Sequence, residues 1–543
     1  MDQVPPITKS RILILLGLLI VVVFGQVIGF EFVNFDDPMY INNYMVVKGL
    51  TWEGIRWAFV RIDQNFFMPL PWISHMVDVE LFGHNPAGHH GINLLLHTVN
   101  TLLFFGWLVR ATDSPLKSAF AAALFAIHPL RVETVAWVAD RKDLLAMLFA
   151  LLALESYRKY TKGGGRRDYA MVTLFYILAL LSKPVMVVFP CVLLLLDAWP
   201  HNRVMSGKGV FVAWAGLIKE KLPWFGLSVL FVWLGYKGQA AVATIASLDA
   251  LPLWTRLVNL PVIMMQYLGF VFWPSGLTAF YPAVFQQAPL WQTVGALMIL
   301  TGMTVWGIRQ WRRFPYFIIG WLWFLGALLP LAGLIKLGDH EMADRYTYFP
   351  LTGLCVLIAW GVIDFLNSRE HLAKSTPAIV VGLVLILMPA AWNQTRVWEN
   401  SVTLFQHTVD HTERNTFAHN NLGHALMLNG KTEASIVQFK KALEYNPKFV
   451  LAHLNLAKAY RNLDRTPEAI LSYKHILQLQ PNHVVVHFEL GKLYHKEGDG
   501  PQAVHHTRIA HALLIRNYGP EFDKTREAEE NLKHYYKVYN LKP

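Results

Sequence analysis

Eleven apolar runs, each near the roughly 20 residues that a helix needs to cross a hydrocarbon core, crowd the chain before residue 392. They lie near 12–30, 92–109, 117–136, 141–157, 169–182, 185–199, 224–240, 289–308, 315–335, 345–365 and 376–392. Lipid offers the backbone no hydrogen-bond partners, so runs of this length and spacing predict an all-α polytopic membrane bundle. Of the 543 residues 54% are hydrophobic and 16% charged, which excludes a soluble enzyme of ordinary composition. The stretch after 392 is polar and periodic, so two parts are expected, 1–392 and 393–543.

The net charge of +11 does not indicate nucleic acid, because the Lys and Arg of the first part fall in short clusters between apolar runs. Lys9/Arg11, Arg110/Lys117, 158–167, 203–221, 309–313 and Arg369/Lys374 occupy alternate connections, which the positive-inside rule places in the cytoplasm. Counting 257–273 as a crossing would break that alternation, so this segment, with Pro261 inside it and Pro274 after it, is expected as a juxtamembrane or re-entrant helix in an external loop. The run 12–30 is long for a signal peptide and is read as a retained first span. An odd number of spans then puts the N-terminus inside and 393–543 outside, which in a bacterial inner membrane means the periplasm. Cys191 and Cys355 both lie in apolar runs and say nothing of the compartment.

The tail repeats itself every 34 residues. Asn421-Leu422-Gly423 aligns with Asn455-Leu456-Ala457 and Glu489-Leu490-Gly491, Phe439 with Tyr473, Tyr460 with Tyr494, and Pro447 with Pro481. That is the tetratricopeptide period, an α-solenoid of helix pairs with small residues (Gly423, Ala442, Ala457, Gly491) at the crossings. Three full units are visible, preceded by a half-unit at 400–411 and followed by a charged capping helix at 524–539. The ordinary role of such an array is to bind a partner. His505, His506 and His511 lack Cys or acidic companions at ligand spacing and are expected as surface residues, not a metal site.

The external connections carry ionisable residues that topology does not require. The first loop, 31–91, contains Phe35-Asp36-Asp37-Pro38. Paired carboxylates at a membrane surface suit a general base or a metal ligand, although taken alone this motif is explained more simply by an Asp-Pro turn with a helix cap. Either Asp36 or Asp37, with histidines near, would serve a divalent metal or a metal-free mechanism. His90, Asn93 and His97 share one face at the outer end of the second span. His128-Pro129, Arg131 and Glu133 close the third, and Asp140-Arg141-Lys142-Asp143 opens the fourth. Snorkelling explains Arg131 or Lys142 but not His128, Glu133 and Asp143, since charge near a bilayer core usually lines a site. The last external loop reads His340-Glu341-Met342-Ala343-Asp344-Arg345-Tyr346. Its Arg345 opposes the positive-inside rule, and a lipid phosphate is the natural partner, supported by Lys183 or Arg256. The alternative is a structural pair with Asp344 or Glu341.

Together these motifs resemble those of the transmembrane and tetratricopeptide repeat containing (TMTC) O-mannosyltransferases and their bacterial relatives, in glycosyltransferase superfamily C. The resemblance covers most of the chain and its order of membrane part, then repeats. It implies an inverting transferase in which a polyprenyl-phosphate sugar enters from the membrane lipid and a protein acceptor approaches from outside. Asp36 or Asp37 would match the family's catalytic acid, and Arg345 with Lys183 or Arg256 would neutralise the phosphate. Substrate-side positions would be His90, Asn93, His97, His128, Glu133, Arg141, Asp143, Glu341 and Tyr346. No nucleic acid and no certain cofactor are implied, and the sugar is written as hexose because mannose would be carried over from the animal branch. A membrane-anchored scaffold explains the repeats but leaves eleven spans without purpose, and a transporter should place polar residues at the midplane.

Overall fold

The computed structural model describes residues 6–60, 67–204, 210–241, 252–282, 287–334 and 340–542. Two compact units emerge, Met1–His407 and Thr408–Pro543. The described residues are helical and contain no strand, only an isolated bridge between Pro282 and His340.

In the first unit the helix Pro115–Ile127 sits innermost, with Phe120–Ile127 buried residue after residue. Its Ala-rich sequence, Ala121-Ala122-Ala123 and Ala126, lets Pro86–Thr112, Leu351–Asn367, Thr376–Arg396 and the N-terminal helix approach it from different sides. A close crossing lies between Pro315–Leu328 and Leu351–Asn367. A β-carbon on Gly320 would stand 2.4 Å from the Gly353 carbonyl oxygen, and one on Gly353 would stand 2.5 Å from that of Gly320. Large apolar side chains instead face outward from the peripheral helices, among them Val229, Trp291, Met298 and Ile386, all exposed. Apolar surface on this scale is stable only against lipid.

Five described helices have the length and apolarity to cross a membrane: Lys9–Gly29, Pro86–Thr112, Leu253–Phe272, Leu290–Arg309 and Thr376–Arg396. Eleven were expected from the runs; four of these five helices are among them, the runs at 169–182 and 224–240 form the helices Arg166–Ser182 and Val210–Ala241, and the other five depart for visible reasons. The run at 117–136 breaks by 58° between Pro115–Ile127 and Pro129–Ala136, where His128 leaves the helix and Pro129 begins a 3-10 turn. The run at 141–157 forms Arg141–Thr161, which carries Arg141, Lys142 and Asp143 at one end and Glu155, Arg158 and Lys159 at the other. The runs at 185–199, 315–335 and 345–365 become the shorter apolar helices Pro184–Ala198, Pro315–Leu331 and Leu351–Asn367. Conversely, the segment expected as a juxtamembrane helix is a continuous 20-residue helix, Leu253–Phe272, that keeps Pro261 inside it. The Thr293 hydroxyl donates to the Val258 carbonyl (3.0 Å), three residues before that proline and next to the Leu257 carbonyl whose helical donor the proline removes.

The second unit is the expected solenoid. Helix pairs Thr416–Leu428/Thr432–Tyr445, Val450–Asn462/Thr466–Leu479 and Val484–Lys496/Gly500–Tyr518 stack in order, and Asp523–Val538 packs on the last with Ala528, Leu532 and Tyr535 buried. Small residues stand at the crossings because a β-carbon on Gly423 would meet the Phe439 ring at 2.7 Å, and one on Gly491 the Thr507 hydroxyl at 2.1 Å. One expectation needs correction. His506 is buried rather than superficial, stacked on Tyr494 and with its Nδ1 2.9 Å from His487 Nδ1.

Replacing Gly320 or Gly353 by Val forces a branched side chain into a backbone contact, an overpacking that costs typically about 1–3 kcal/mol. Either variant should melt at a lower temperature in detergent, read by tryptophan fluorescence, whereas Gly326→Ala, with open space around its α-carbon, should not.

Candidate active site

The first loop folds as short helices, Asp37–Ile41, Tyr44–Val47, Trp52–Val60 and Pro69–Phe82. Asp36 and Asp37 open the first of these, and the geometry gives them different surroundings. Asp37 is fully buried, with its Oδ2 accepting from the Val33 N–H and its Oδ1 from the Ala139 N–H, both at 2.9 Å. Ala139 lies 102 residues away, so this side chain ties the loop to the turn between the helices Val132–Ala136 and Arg141–Thr161. Burial pushes the Asp37 carboxyl up to about 7, with the two N–H donors pulling the other way. Asp36 is only half-buried, and at the start of the helix its side chain caps nothing. Its charge acts on the Lys142 ammonium and on Tyr40.

Three cations meet beside this loop, each with a carboxylate. The Arg345 guanidinium pairs with Glu133, whose second oxygen accepts from the Arg345 backbone N–H at 2.8 Å. Lys183 pairs with Asp143. The Lys142 ammonium lies 3.4 Å from the Asp140 carboxylate and donates to the Ala139 carbonyl at 3.0 Å. Aromatic faces connect them: Trp137 carries Lys142 at 4.9 Å and Arg345 at 5.1 Å, and Tyr346 carries Arg345 at 5.2 Å and Lys183 at 5.7 Å. The Tyr346 hydroxyl contacts His340 at 2.6 Å, Tyr281 donates to Asp344 at 2.8 Å, and the Glu341 N–H donates to the Tyr281 carbonyl at 2.9 Å, which fixes the 340–347 loop.

The remaining predicted residues hold backbone. Asn93 donates to the Trp137 carbonyl at 2.9 Å and accepts from the Arg141 guanidinium, which also donates to the Ser74 hydroxyl and the His89 carbonyl, both at 2.9 Å. His97 contacts the Tyr348 hydroxyl and the Ala126 carbonyl at 2.8 Å, and His128 the Val271 carbonyl at 2.9 Å. His90 reaches the Glu31 carbonyl at 3.4 Å. Arg256 donates to the Leu334 carbonyl at 3.4 Å.

Two readings of the sequence are revised here. The partner of Arg345 is Glu133, 212 residues away, and neither Asp344 nor Glu341. Arg131 does not snorkel: it is fully buried over the Phe125 and Tyr348 rings and donates to the Tyr348 carbonyl at 2.7 Å. Lys142, Asp140 and Trp137 belong to the cluster although none was singled out. The signal was the density of charge in Asp140-Arg141-Lys142-Asp143 at the head of an apolar run.

Because its pKa is higher in the fold than the ordinary carboxyl value near 4, Asp37 binds its proton more tightly when folded, and stability falls as pH rises from about 4 to about 7 and then levels off. Thermal melting across that window should show this slope in the wild type and lose it in Asp37→Asn.

The family models named TPR repeat and Tetratricopeptide repeat match residues 423–464 and 450–483. A protein O-mannosyl-transferase of Caenorhabditis elegans is 24% identical over 445 residues, covering 78% of this chain and 61% of that protein. Protein O-mannosyl-transferase TMTC1 of Homo sapiens is 24% identical over 477 residues, covering 76% of this chain and 52% of its own length. Protein O-mannosyl-transferase TMTC4 of Mus musculus is 23% identical, covering 75% and 62%. The chain thus spans between about half and three-fifths of these relatives. With similarity running through most of its length and repeats in the tail, the chain is a homologue of the TMTC protein O-mannosyl-transferases.

Proposed function

We propose that this chain is an inverting membrane glycosyltransferase that moves a hexose from a polyprenyl-phosphate donor to a protein hydroxyl on the external face of a bacterial inner membrane. The observation that carries the reading is the half-buried Asp36 carboxylate, uncapped, whose charge acts on Lys142, one of three cations that share the Trp137 and Tyr346 faces. Asp36 takes the proton of the acceptor hydroxyl as its oxygen bonds the anomeric carbon. The bond from that carbon to the phosphate oxygen breaks on the opposite face, and the electron pair leaves on the polyprenyl phosphate. Arg345, Lys142 and Lys183 stabilise that charge. Each already faces one carboxylate, so the cluster is close to neutral when empty and the phosphate competes with Glu133, Asp140 and Asp143 for donors. Arg256 is a more distant support for the donor, and His90, Asn93, His97, His128 and Arg141 act through the backbone they hold. In this reading 1–392 performs the transfer, and 393–543, on the same external side, recruits the acceptor or a partner.

The test is transfer of labelled hexose from a panel of polyprenyl-phosphate sugars in native membranes. Asp36→Asn should reduce transfer by about 10²–10⁴-fold at normal expression. An Asp36→Asn protein as active as the wild type overturns the assignment of the base. Arg345→Ala removes the phosphate donor and strands the buried Glu133, at a cost of roughly 3–5 kcal/mol, so it should lower both activity and yield. Arg345→Ala with Glu133→Gln should recover yield but not transfer.

A further inference from the structure

The first loop holds a second buried polar cluster, which the transfer reading does not use. His75 and Asp78 stand one turn apart on Pro69–Phe82, and His89 begins the helix Pro86–Thr112. All three are buried, at 0%, 2% and 0% exposure. His89 Nε2 lies 2.9 Å from the Gly83 carbonyl oxygen, a contact favourable only if Nε2 carries the proton. Nδ1 then presents a lone pair, and it faces Asp78 Oδ2 at 3.3 Å. His75 Nδ1 lies 4.0 Å from the same oxygen. Neither nitrogen of His75 has a hydrogen-bond partner, and His89 Nδ1 has none beyond its approach to Asp78, whose Oδ2 is in ion-pair contact with the Arg141 guanidinium at 2.8 Å.

Arg141 compensates the charge of Asp78 but leaves both nitrogens of His75 and the lone pair of His89 Nδ1 unmatched in a dry site, which a shared cation would satisfy. The geometry points to a divalent transition-metal site of the zinc class, held by a ring nitrogen of His75, Asp78 Oδ2 and His89 Nδ1. The ligand atoms all lie within 4.8 Å of one another. A tetrahedral ion with bonds near 2.1 Å needs ligand separations of roughly 3.4 Å, which rotations of the two imidazoles supply. The Gly83 carbonyl on the far nitrogen of His89 is the outer contact that orients a metal-bound imidazole. Arg141 shares the carboxylate oxygen and weakens its pull, so affinity rests on the imidazoles, and this selects zinc over magnesium or calcium. The ion would fasten the loop helix Pro69–Phe82 to the first turn of the spanning helix Pro86–Thr112, next to Tyr40 of the segment that follows Asp36. The Tyr40 ring lies 5.2 Å from His75 and the Phe32 ring 5.2 Å from His89.

The test is elemental analysis of the full chain purified without chelator, with cobalt substitution read by visible absorption. About one zinc per chain is expected in the wild type, with at least tenfold loss in His75→Phe and in His89→Gln. Cobalt should give the absorption of a low-coordinate nitrogen and oxygen site. His75→Phe separates the alternatives, because it removes an unbonded imidazole and fills the space. With a metal site it melts at a lower temperature than the wild type, and without one it melts at the same temperature or higher. Wild-type protein without stoichiometric metal overturns the proposal, and the cluster is then a buried imidazolium beside a carboxylate.

Discussion

The Asp37 carboxylate is the contact on which the arrangement of the first loop depends. A loop of some sixty residues between two membrane helices has many conformations, and closing it is entropically costly. Two backbone N–H groups, one local and one 102 residues away, donate to a single buried side chain, so the loop is fixed where it passes the turn between Val132–Ala136 and Arg141–Thr161. Asp36 is placed as a consequence. It begins a helix whose next residue points inward, and its own carboxylate is left at the surface of the same turn.

The cation cluster obeys a harder constraint, because three positive charges close together in apolar surroundings are tolerable only with counter-charges in contact. The break at His128-Pro129 makes that possible. A continuous helix through this region would have aimed Glu133 and Trp137 elsewhere, whereas the 58° bend turns Glu133 toward Arg345 and presents Trp137 as a shared face for Arg345 and Lys142. Replacing such pairs by apolar residues commonly leaves stability unchanged or improves it, so their presence calls for a reason other than stability. An anionic ligand that exchanges for one of the carboxylates is such a reason.

How much of this the sequence disclosed follows from the range of each interaction. The 34-residue repeat was legible to the level of single contacts, because Gly423 and Phe439 are near in sequence and recur. The ionisable residues of the site were legible as misfits to the membrane. Their partners were not, since Arg345 and Glu133 are 212 residues apart and no local pattern links them. Fewer helices than runs meet the length and apolarity of a crossing, because hydropathy treats a run as continuous across a bend at a proline and does not register charges at its ends. His75, Asp78 and His89 were passed over because their spacing, three residues and then eleven, spans a turn between two helices.

Metal chemistry at the paired aspartates also takes a different form once the contacts are known. Both oxygens of Asp37 already accept N–H bonds, and recruiting them to an ion would release the loop that positions Asp36. An ion bound by Asp36 would have to complete its shell from the substrate phosphate and water. The candidate ligand set of the first loop lies instead with His75, Asp78 and His89, where a cation would strengthen the scaffold and leave Asp36 for the proton transfer proposed above.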